Sequence, residues 1–263
     1  MNLSFYNGAL GARMQQEKLN VIGNNVANVN TEGFKSKNPV FSNLMYMNMN
    51  AGENANTRLR AGAGVRLEKT DTNMEAGTLI ETGNPLNFTI AGEGLFALRN
   101  PADNSTLYTR NGSFIRSERA DGEFYLATNE GHLVLGKDNN PIKVLERAEE
   151  DFGEEDFGDE GDFGDEESAS GEPPLKDRIA VFRFDNYNDM TNVGSNKFIP
   201  VEKNGYPVLD RQAQLMEGTL ESSNVDFAQE MVRMLETQRA YQYAIRMITT
   251  SDEIEGTINS LRG

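Results

Sequence analysis

The sequence predicts an α+β protein with one helix near each end and a central, mostly antiparallel β domain. Apolar residues recur at helical spacing in two stretches, residues 3–30 and 223–261. Between them, short apolar runs alternate with glycine-rich turn signals, a pattern typical of an antiparallel sandwich or a small barrel. A strongly acidic run interrupts this β pattern. These three observations define the predicted fold class.

The N-terminal segment is predicted to span residues 1–34, and residues 3–30 within it are predicted to form a helix. Its apolar residues form two stripes that lie close together and make one broad face: Leu3, Leu10, Met14 and Val21, and then Leu19, Ile22, Val26 and Val29. An asparagine-rich stretch weakens the helix toward its end. Gly33 follows and is suited to a C-terminal cap.

The middle of the chain is predicted as a linker followed by the β domain. Residues 35–60 are rich in Asn and Met without a sustained period, and are predicted to be an extended linker. Residues 61–145 and 175–216 are predicted to form the central β domain. Apolar runs such as Ile179–Phe184 alternate there with turn signals such as Asn111-Gly112.

An acidic insert, residues 146–174, separates the two parts of the β domain. Between Glu149 and Glu167, 12 residues are acidic and none is basic. Such a segment buries too little apolar area to offset the entropy of ordering it, so we predict a solvated, disordered loop. The formal net charge of the chain is −16; without these 12 residues it has 29 acidic against 25 basic residues, a net charge of −4. The rest of the chain is therefore nearly balanced.

The C-terminal segment, residues 217–263, is predicted to contain a helix over 223–261. Ser223 is predicted to cap it, with Asp226 three residues on as in a capping box. Its apolar residues follow steps of three and four, broken at Gln238 and resumed one step out of phase: Met231, Met234, Tyr241, Ile245, Ile248, Ile254, Ile258 and Leu261. A lone amphipathic helix is marginal in water, so the two terminal helices are expected to pair with each other or with copies in other subunits.

The composition argues against several function classes. The chain has no cysteine, which excludes a disulfide or a thiolate metal site, and its single histidine, His132, has no placed catalytic partner. The acidic balance argues against nucleic acid as a partner. We predict no enzyme, no cofactor and no metal site. The N-terminus lacks the pattern of a cleavable secretion signal, and no stretch is apolar over a membrane-spanning length, so export is expected to use another route.

Four ordered motifs resemble those of the flagellar basal-body rod and hook protein family. Asn20–Lys35 (NVIGNNVANVNTEGFK) resembles the N-terminal signature, and Thr82–Ile90 (TGNPLNFTI) resembles the central β motif. Tyr108–Phe114 (YTRNGSF) resembles the Tyr-Thr-Arg strand. Gly218–Val225 (GTLESSNV) with Glu236–Tyr241 (ETQRAY) resembles the C-terminal signature. The length and the Gln-Arg-Ala-Tyr segment are most similar to the distal-rod branch of the family, with the proximal-rod branch as the alternative.

The resemblance implies a structural subunit of the flagellar rod. In the family, the terminal helices are largely unfolded in the exported monomer and pair as a coiled-coil-like domain on assembly, lining the inner tube with the β domain outside. The implied partners are copies of the chain, neighbouring rod and hook proteins, and the flagellar type III export apparatus. The implied location is the basal body. The acidic insert has no counterpart in the family.

The candidate site is an assembly interface on both terminal helices. Its predicted residues are Leu10, Met14, Leu19, Val21, Ile22, Asn25, Val26, Asn28, Val29, Met231, Met234, Leu235, Gln238, Tyr241, Ile245, Ile248 and Ile258. For Asn25 and Asn28 the alternatives are inter-subunit hydrogen bonds and an asparagine-rich turn at the helix end, and the resemblance favours the first. A wall-cleaving enzyme and a secreted binding module with ordered termini are the other function classes.

Overall fold

The computed structural model describes residues 3–44, 46–48, 60–62, 64–119, 121–144, 173–188 and 190–262. The chain divides into two compact units. Unit 1 contains Met1–Glu75 and Ser223–Gly263, and unit 2 contains Ala76–Ser222. The predicted α+β class is confirmed, because the two terminal helices pack against each other and the strands between them pair antiparallel.

The helices and strands of the described residues follow one another along the chain. They are α1 (Leu3–Ala27), β1 (Lys37–Asn43), β2 (Tyr46–Asn48), β3 (Arg60–Gly62), β4 (Val65–Thr72), β5 (Leu79–Glu81), β6 (Phe88–Ala91), β7 (Leu95–Arg99), β8 (Thr106–Thr109), β9 (Phe114–Glu118), β10 (Phe124–Thr128), β11 (Leu133–Val134), α2 (Leu175–Arg178), β12 (Val181–Arg183), β13 (Thr191–Gly194), β14 (Lys197–Ile199), a 3-10 turn (Glu202–Asn204), β15 (Val208–Leu209), β16 (Gln214–Glu217), β17 (Thr219–Glu221) and α3 (Phe227–Arg262).

In unit 1, α1 and α3 run antiparallel. Near the start of α1, a methyl group added at Gly8 would lie 3.1 Å from Cγ1 of Ile248, a residue in the second half of α3. Near the end of α1, Asn25 binds the backbone of Lys37, and the next residue, Asn38, accepts a 3.4 Å hydrogen bond from Arg233 in the first turns of α3. The small side chain at position 8 allows the two backbones to approach closely.

A β-hairpin covers another side of α1. Strand β1 pairs with β4, and β2 pairs with β3. Met14 Sδ accepts the Leu67 N–H at 3.1 Å, and the Leu10 side chain lies against Gly64. Because α1 lies between this hairpin and α3, most of its apolar residues are covered inside the unit.

The structure therefore divides the chain differently from the sequence prediction. Residues 37–43 and 46–48, expected in an extended linker, are strands, and residues 61–75, expected in the central β domain, belong to unit 1. The physical reason is long-range pairing. Strand β1 gains its regular hydrogen bonds from β4, which begins more than twenty residues later, so its own sequence carries little periodic signal.

Both terminal helices end differently from the prediction. Helix α1 ends at Ala27, and a turn leads to Gly33, which has a φ of 65°. Helix α3 begins at Phe227 because Asp226 caps it, with Asp226 Oδ1 accepting the Gln229 N–H at 3.1 Å. The predicted Ser223 cap is wrong, since Ser223 Oγ instead accepts the Val225 N–H ahead of the helix.

Unit 2 is built on a nine-stranded antiparallel sheet. The strand order is β13-β14-β8-β7-β11-β10-β9, with β12 paired to both β7 and β15. Strands β6 and β16, and β5 and β17, form two further pairs. One apolar cluster forms the core; its buried members are Phe88, Ile90, Phe96, Leu98, Leu107, Phe114, Leu126, Val134, Ile142, Ile179 and Val181.

The sheet continues across the position of the acidic insert. Residues 145–172 lie outside the described residues, so the predicted disorder of the insert remains a prediction. On its two sides, Gly136 bridges Ile179, and Lys137 N–H donates to the Arg178 carbonyl at 3.0 Å. The residues before the insert and the residues after it therefore belong to the same antiparallel sheet.

Candidate assembly surface

One face of α3 has a coiled-coil pattern. Met234, Tyr241 and Ile248 recur every seven residues and are partly buried. Smaller residues alternate with them on the same face: Thr237, Ala244 and Ser251, of which Thr237 is 1% exposed and Ser251 7% exposed. Since Ala244 and Ile248 lie against Gly8, this is the face that packs on α1. Large and small residues in alternate steps of three and four are the arrangement that lets paired helices interlock.

A second face of α3 is apolar and open. At 100° per residue, one group of exposed side chains falls within a sector of about 80°. Its members are Val232, Tyr243, Met247, Ile254, Ile258 and Leu261, and we call this set the outer stripe. Tyr243 is 65% exposed and Leu261 is 83% exposed. On the other flank of the α1-facing seam, Met231, Leu235 and Ile245 are also exposed. The exposed Glu236 separates Val232 from the rest of the outer stripe, which runs from Tyr243 to Leu261. An exposed apolar stripe of this length marks an interaction surface.

The end of α3 extends beyond α1. Gly8 lies opposite Ile248, and antiparallel helices rise equally per residue, so Leu3 lies opposite about residue 253. Helix α3 continues to Arg262, and residues 252–261 are all exposed. Among the described residues, this overhang of about nine residues has no α1 residue beside it. It carries three members of the outer stripe, Ile254, Ile258 and Leu261.

The α1 members of the predicted interface are covered within the subunit. Met14, Ile22 and Asn25 are buried. The others are partly buried: Leu10, Leu19, Val21, Val26, Asn28 and Val29. On α3, Met234, Tyr241 and Ile248 are partly buried, and the remaining predicted residues are exposed: Met231, Leu235, Gln238, Ile245 and Ile258. The predicted residues of the two helices thus meet only along the seam formed by Met234, Tyr241 and Ile248. The other predicted residues of α3 lie on the surface.

The amides of Asn25 and Asn28 have partners inside the chain. Asn25, 1% exposed, donates from Nδ2 to the Lys37 carbonyl and accepts the Lys37 N–H at Oδ1, both at 2.9 Å. Asn28 Nδ2 donates to the Asn24 carbonyl at 2.8 Å, and its Oδ1 accepts from the Thr31 hydroxyl. These bonds are those of a helix end and its turn. A place for the two residues in an interface between subunits stays a prediction.

Sequence analysis missed Asn224, which joins three segments of unit 1. Its Oδ1 accepts the Ser36 N–H at 2.8 Å, and its Nδ2 donates to the carbonyls of Asn73 and Glu75 at 2.9 and 3.0 Å. Lys35, which is buried, donates from Nζ to the same Glu75 carbonyl at 2.6 Å. These bonds tie the start of β1, the end of β4 and the entry to α3. The only sequence signal was the position of Asn224 in the Ser-Ser-Asn-Val motif.

A second missed feature is a buried ion pair in unit 2. Arg110 Nε donates to Glu221 Oε2 at 2.6 Å, and both side chains are 2% exposed. The guanidinium also donates to the carbonyls of Ile90, Gly92 and Gly94, and Glu221 Oε1 accepts the Gly77 N–H at 2.8 Å. The pair therefore joins the turn after β8, the turn after β6 and the strand β17. Arg110 belongs to the Tyr-Thr-Arg motif, but its partner is 111 residues away in sequence.

The described residues contain neither a cluster of metal ligands nor a helix suited to a bilayer. In that part of the chain, no group of three or more His, Cys, Asp and Glu side chains is placed to hold a metal ion. None of the helices described combines the length and the apolar character that crossing a bilayer requires.

Comparison with known families defines the class of this fold. Residues 5–35 match the family described as flagella basal body rod protein, residues 89–152 match the flagellar hook protein FlgE/F/G D1 domain, and residues 216–261 match the flagellar basal body rod FlgEFG protein C-terminal domain. These families are named for proteins of the flagellar rod and hook, and the matched residues include both terminal helices and part of unit 2.

Whole-length relatives narrow this class further. The flagellar basal-body rod protein FlgG of Borreliella burgdorferi is 31% identical over 274 aligned positions, covering 100% of this chain and 99% of the relative. FlgG of Bacillus subtilis is 31% identical over 95% of this chain and 96% of the relative, and FlgF of Mesorhizobium japonicum is 31% identical over 96% of each. The chain belongs to the flagellar basal-body rod protein family, which confirms the resemblance identified from its four motifs.

Proposed function

We propose that this chain is a structural subunit of the flagellar rod that polymerises through its terminal helices into the axial tube. Its full-length similarity to relatives named basal-body rod proteins supports the location, and its similarity to FlgG favours the distal-rod branch. The observation that carries the polymerisation step is the outer stripe of α3. From Tyr243 to Leu261 it is apolar over several helical turns, and it is exposed in the single subunit.

The contact between subunits uses α3 more than α1. The α1 side chains of the predicted interface are covered by α3 and by the β1–β4 hairpin, so α1 serves to hold α3 in place. The outer stripe, including its three residues on the overhang, then packs against helices of neighbouring copies or of neighbouring rod and hook proteins. In this proposal the chain has a structural role and no catalytic one, and it reaches the basal body through the flagellar type III export apparatus.

Paired substitutions at the end of α3 test the proposal. Ile258→Glu places a charge in the outer stripe, and Ser260→Glu places the same charge two residues on, about 160° around the helix. Both positions are exposed in the subunit, so neither change alters its core. We expect the wild-type chain and Ser260→Glu to form sedimentable polymers visible by electron microscopy, and Ile258→Glu to remain monomeric. If Ile258→Glu polymerises like Ser260→Glu, the outer stripe is not the assembly surface.

A further inference from the structure

A cluster of three ionisable side chains lies beside the edge of the sheet in unit 2. Lys197, on β14, is 7% exposed at its side chain. Its ammonium donates to Glu130 Oε2 and lies 3.1 Å from Nδ1 of His132, the single histidine of the chain. Glu130 and His132 come from the segment between β10 and β11, so the cluster joins β14 to a different part of the sheet.

The geometry fixes the protonation state of His132. An ammonium group has donors only, so Nδ1 must accept, and the imidazole is neutral with its proton on Nε2. Burial of the ring and the Lys197 charge lower the pKa of His132 below its ordinary value of 6.5, while Glu130 and Asp103 act in the opposite direction. Lys197, followed by Ser195, lowers the pKa of the Glu130 carboxyl.

The hairpin of β13 and β14 makes few backbone hydrogen bonds to the rest of the sheet. Among the described residues, β13 pairs with β14 alone, and all four of its residues are exposed. Strand β14 is joined to β8 by two registered pairs, Lys197 with Thr109 and Phe198 with Tyr108. The Thr109 hydroxyl adds one hydrogen bond to the Asn196 carbonyl at 2.9 Å. Beside the buried Phe198 side chain and Ile199, which packs against the core cluster, Lys197 supplies the buried charged contact of this hairpin.

We propose that Glu130, His132 and Lys197 form a pH-sensitive latch that holds the β13–β14 hairpin on β8 near neutral pH and releases it when His132 gains a proton. An imidazolium offers no acceptor to Lys197 and places a second positive charge about 3 Å from its ammonium. One of the two side chains must then leave the buried site. Release exposes the outer edge of β8, whose backbone groups become free to pair with another strand.

The lowered pKa values of His132 and Glu130 both make the latch less stable as the pH falls. For His132 the folded-state pKa lies below the unfolded value of 6.5, so the unfolded or released state binds the proton more tightly. The stability that the latch contributes is complete above pH 6.5 and is lost as the pH falls through the lowered folded-state pKa. For Glu130 the folded-state pKa is also lowered, so its contribution is present above its ordinary pKa of 4.5 and is lost at still lower pH.

The single histidine gives a direct reading of the latch. In the full-length chain, one Cε1–Hε1 nuclear magnetic resonance signal reports the titration of His132. We expect its pKa to lie below 6.5 in the wild-type protein and to rise toward 6.5 in Lys197→Met, which removes the charge but keeps an unbranched side chain. A wild-type pKa at or above 6.5, or a pKa that does not rise in Lys197→Met, overturns the proposal.

Hydrogen exchange tests the release itself, with His132→Gln as the matched variant. Glutamine keeps a neutral acceptor for Lys197 and cannot be protonated. After correction for intrinsic exchange rates, we expect amides of β13 and β14 in the wild-type protein to lose protection by up to about tenfold between about pH 7.5 and about pH 5.5, the most that one proton on a group of released-state pKa 6.5 can contribute. In His132→Gln they keep their protection, and β9 and β10 on the opposite side of the sheet are unchanged in both. Equal loss in the two proteins contradicts the latch.

Discussion

Asn224 shows how one side chain holds unit 1 together. Its amide makes hydrogen bonds to Ser36, Asn73 and Glu75, which belong to segments far apart in the sequence. Without these bonds, the Ser36 N–H and the Asn73 carbonyl lose their partner where the chain enters α3, and the Glu75 carbonyl keeps only its bond from Lys35. A buried backbone group left without a hydrogen bond costs more than a typical bond contributes. The position therefore demands an amide, which has both a donor and an acceptor.

Asn224→Ala is expected to lower the free energy of unfolding of unit 1 by about 2 kcal/mol, because the Ser36 N–H and the Asn73 carbonyl lose their partner. Denaturant unfolding followed by circular dichroism measures the change. Asn20→Ala is the control, since Asn20 is exposed on α1 and alanine is a good helix former, so we expect a change within about 0.5 kcal/mol. Equal effects of the two substitutions would mean that the Asn224 bonds contribute nothing.

The Arg110–Glu221 pair is the corresponding feature of unit 2. Removing one member leaves the other as a buried charge without its partner, so we expect Arg110→Met to destabilise unit 2 by about 3–5 kcal/mol. The double variant Arg110→Met with Glu221→Leu is expected to cost less than the sum of the two single changes, because no buried charge remains. Denaturant unfolding of all four proteins measures this coupling. Strict additivity would show that the two residues act independently.

At the scale of elements, α3 carries the argument for assembly. From Met234 to Ile248 it is supported by α1 along the seam that also contains Tyr241, whereas its last turns are exposed on all sides. A short stretch of helix without tertiary packing is marginally stable in water. The overhang is therefore the part of α3 that gains most from a neighbouring subunit.

Amide exchange along α3 is expected to follow this gradient. In the monomer, residues 254–262 exchange fastest and the seam from Met234 to Ile248 more slowly, because opening the seam also breaks its contacts with α1. On polymerisation, the largest gain in protection is expected in residues 254–262. Hydrogen exchange with mass spectrometry on both states measures it. An overhang that is equally protected before and after polymerisation would contradict its role at the interface.

The elements also show how far the sequence predicts the structure. Both helices were found from periodicity because their signal is local, and the class of the β domain followed from turn signals. The β1–β4 hairpin and the ends of the helices were not found, because long-range pairing and the Asp226 cap decide them. Of the outer stripe, the predicted interface contained Ile258 alone, and the other five members were not in it. Packing against α1 decides which apolar residues of α3 are covered and which are exposed. The spacing of these residues in the sequence does not specify that packing.

At the scale of the whole molecule, assembly and stability are located in different parts of the chain. The described hydrogen-bond networks of Asn224 and Arg110 lie within units 1 and 2 respectively, and neither involves the outer stripe. Substitutions in the stripe are therefore expected to affect polymerisation with little effect on unfolding. Substitutions at Asn224 or Arg110 are expected to lower the free energy of unfolding. They should have little effect on polymerisation under conditions in which the subunit remains folded.

The most direct measurement is electron cryo-microscopy of basal bodies that contain this chain, at a resolution that shows side chains. The proposal predicts that Val232, Met247, Ile254 and Ile258 lie within van der Waals distance of apolar side chains from a neighbouring subunit. It also predicts that α1 remains between α3 and the β1–β4 hairpin of its own chain. A rod in which the outer stripe faces solvent, and subunits meet only through unit 2, would contradict the account.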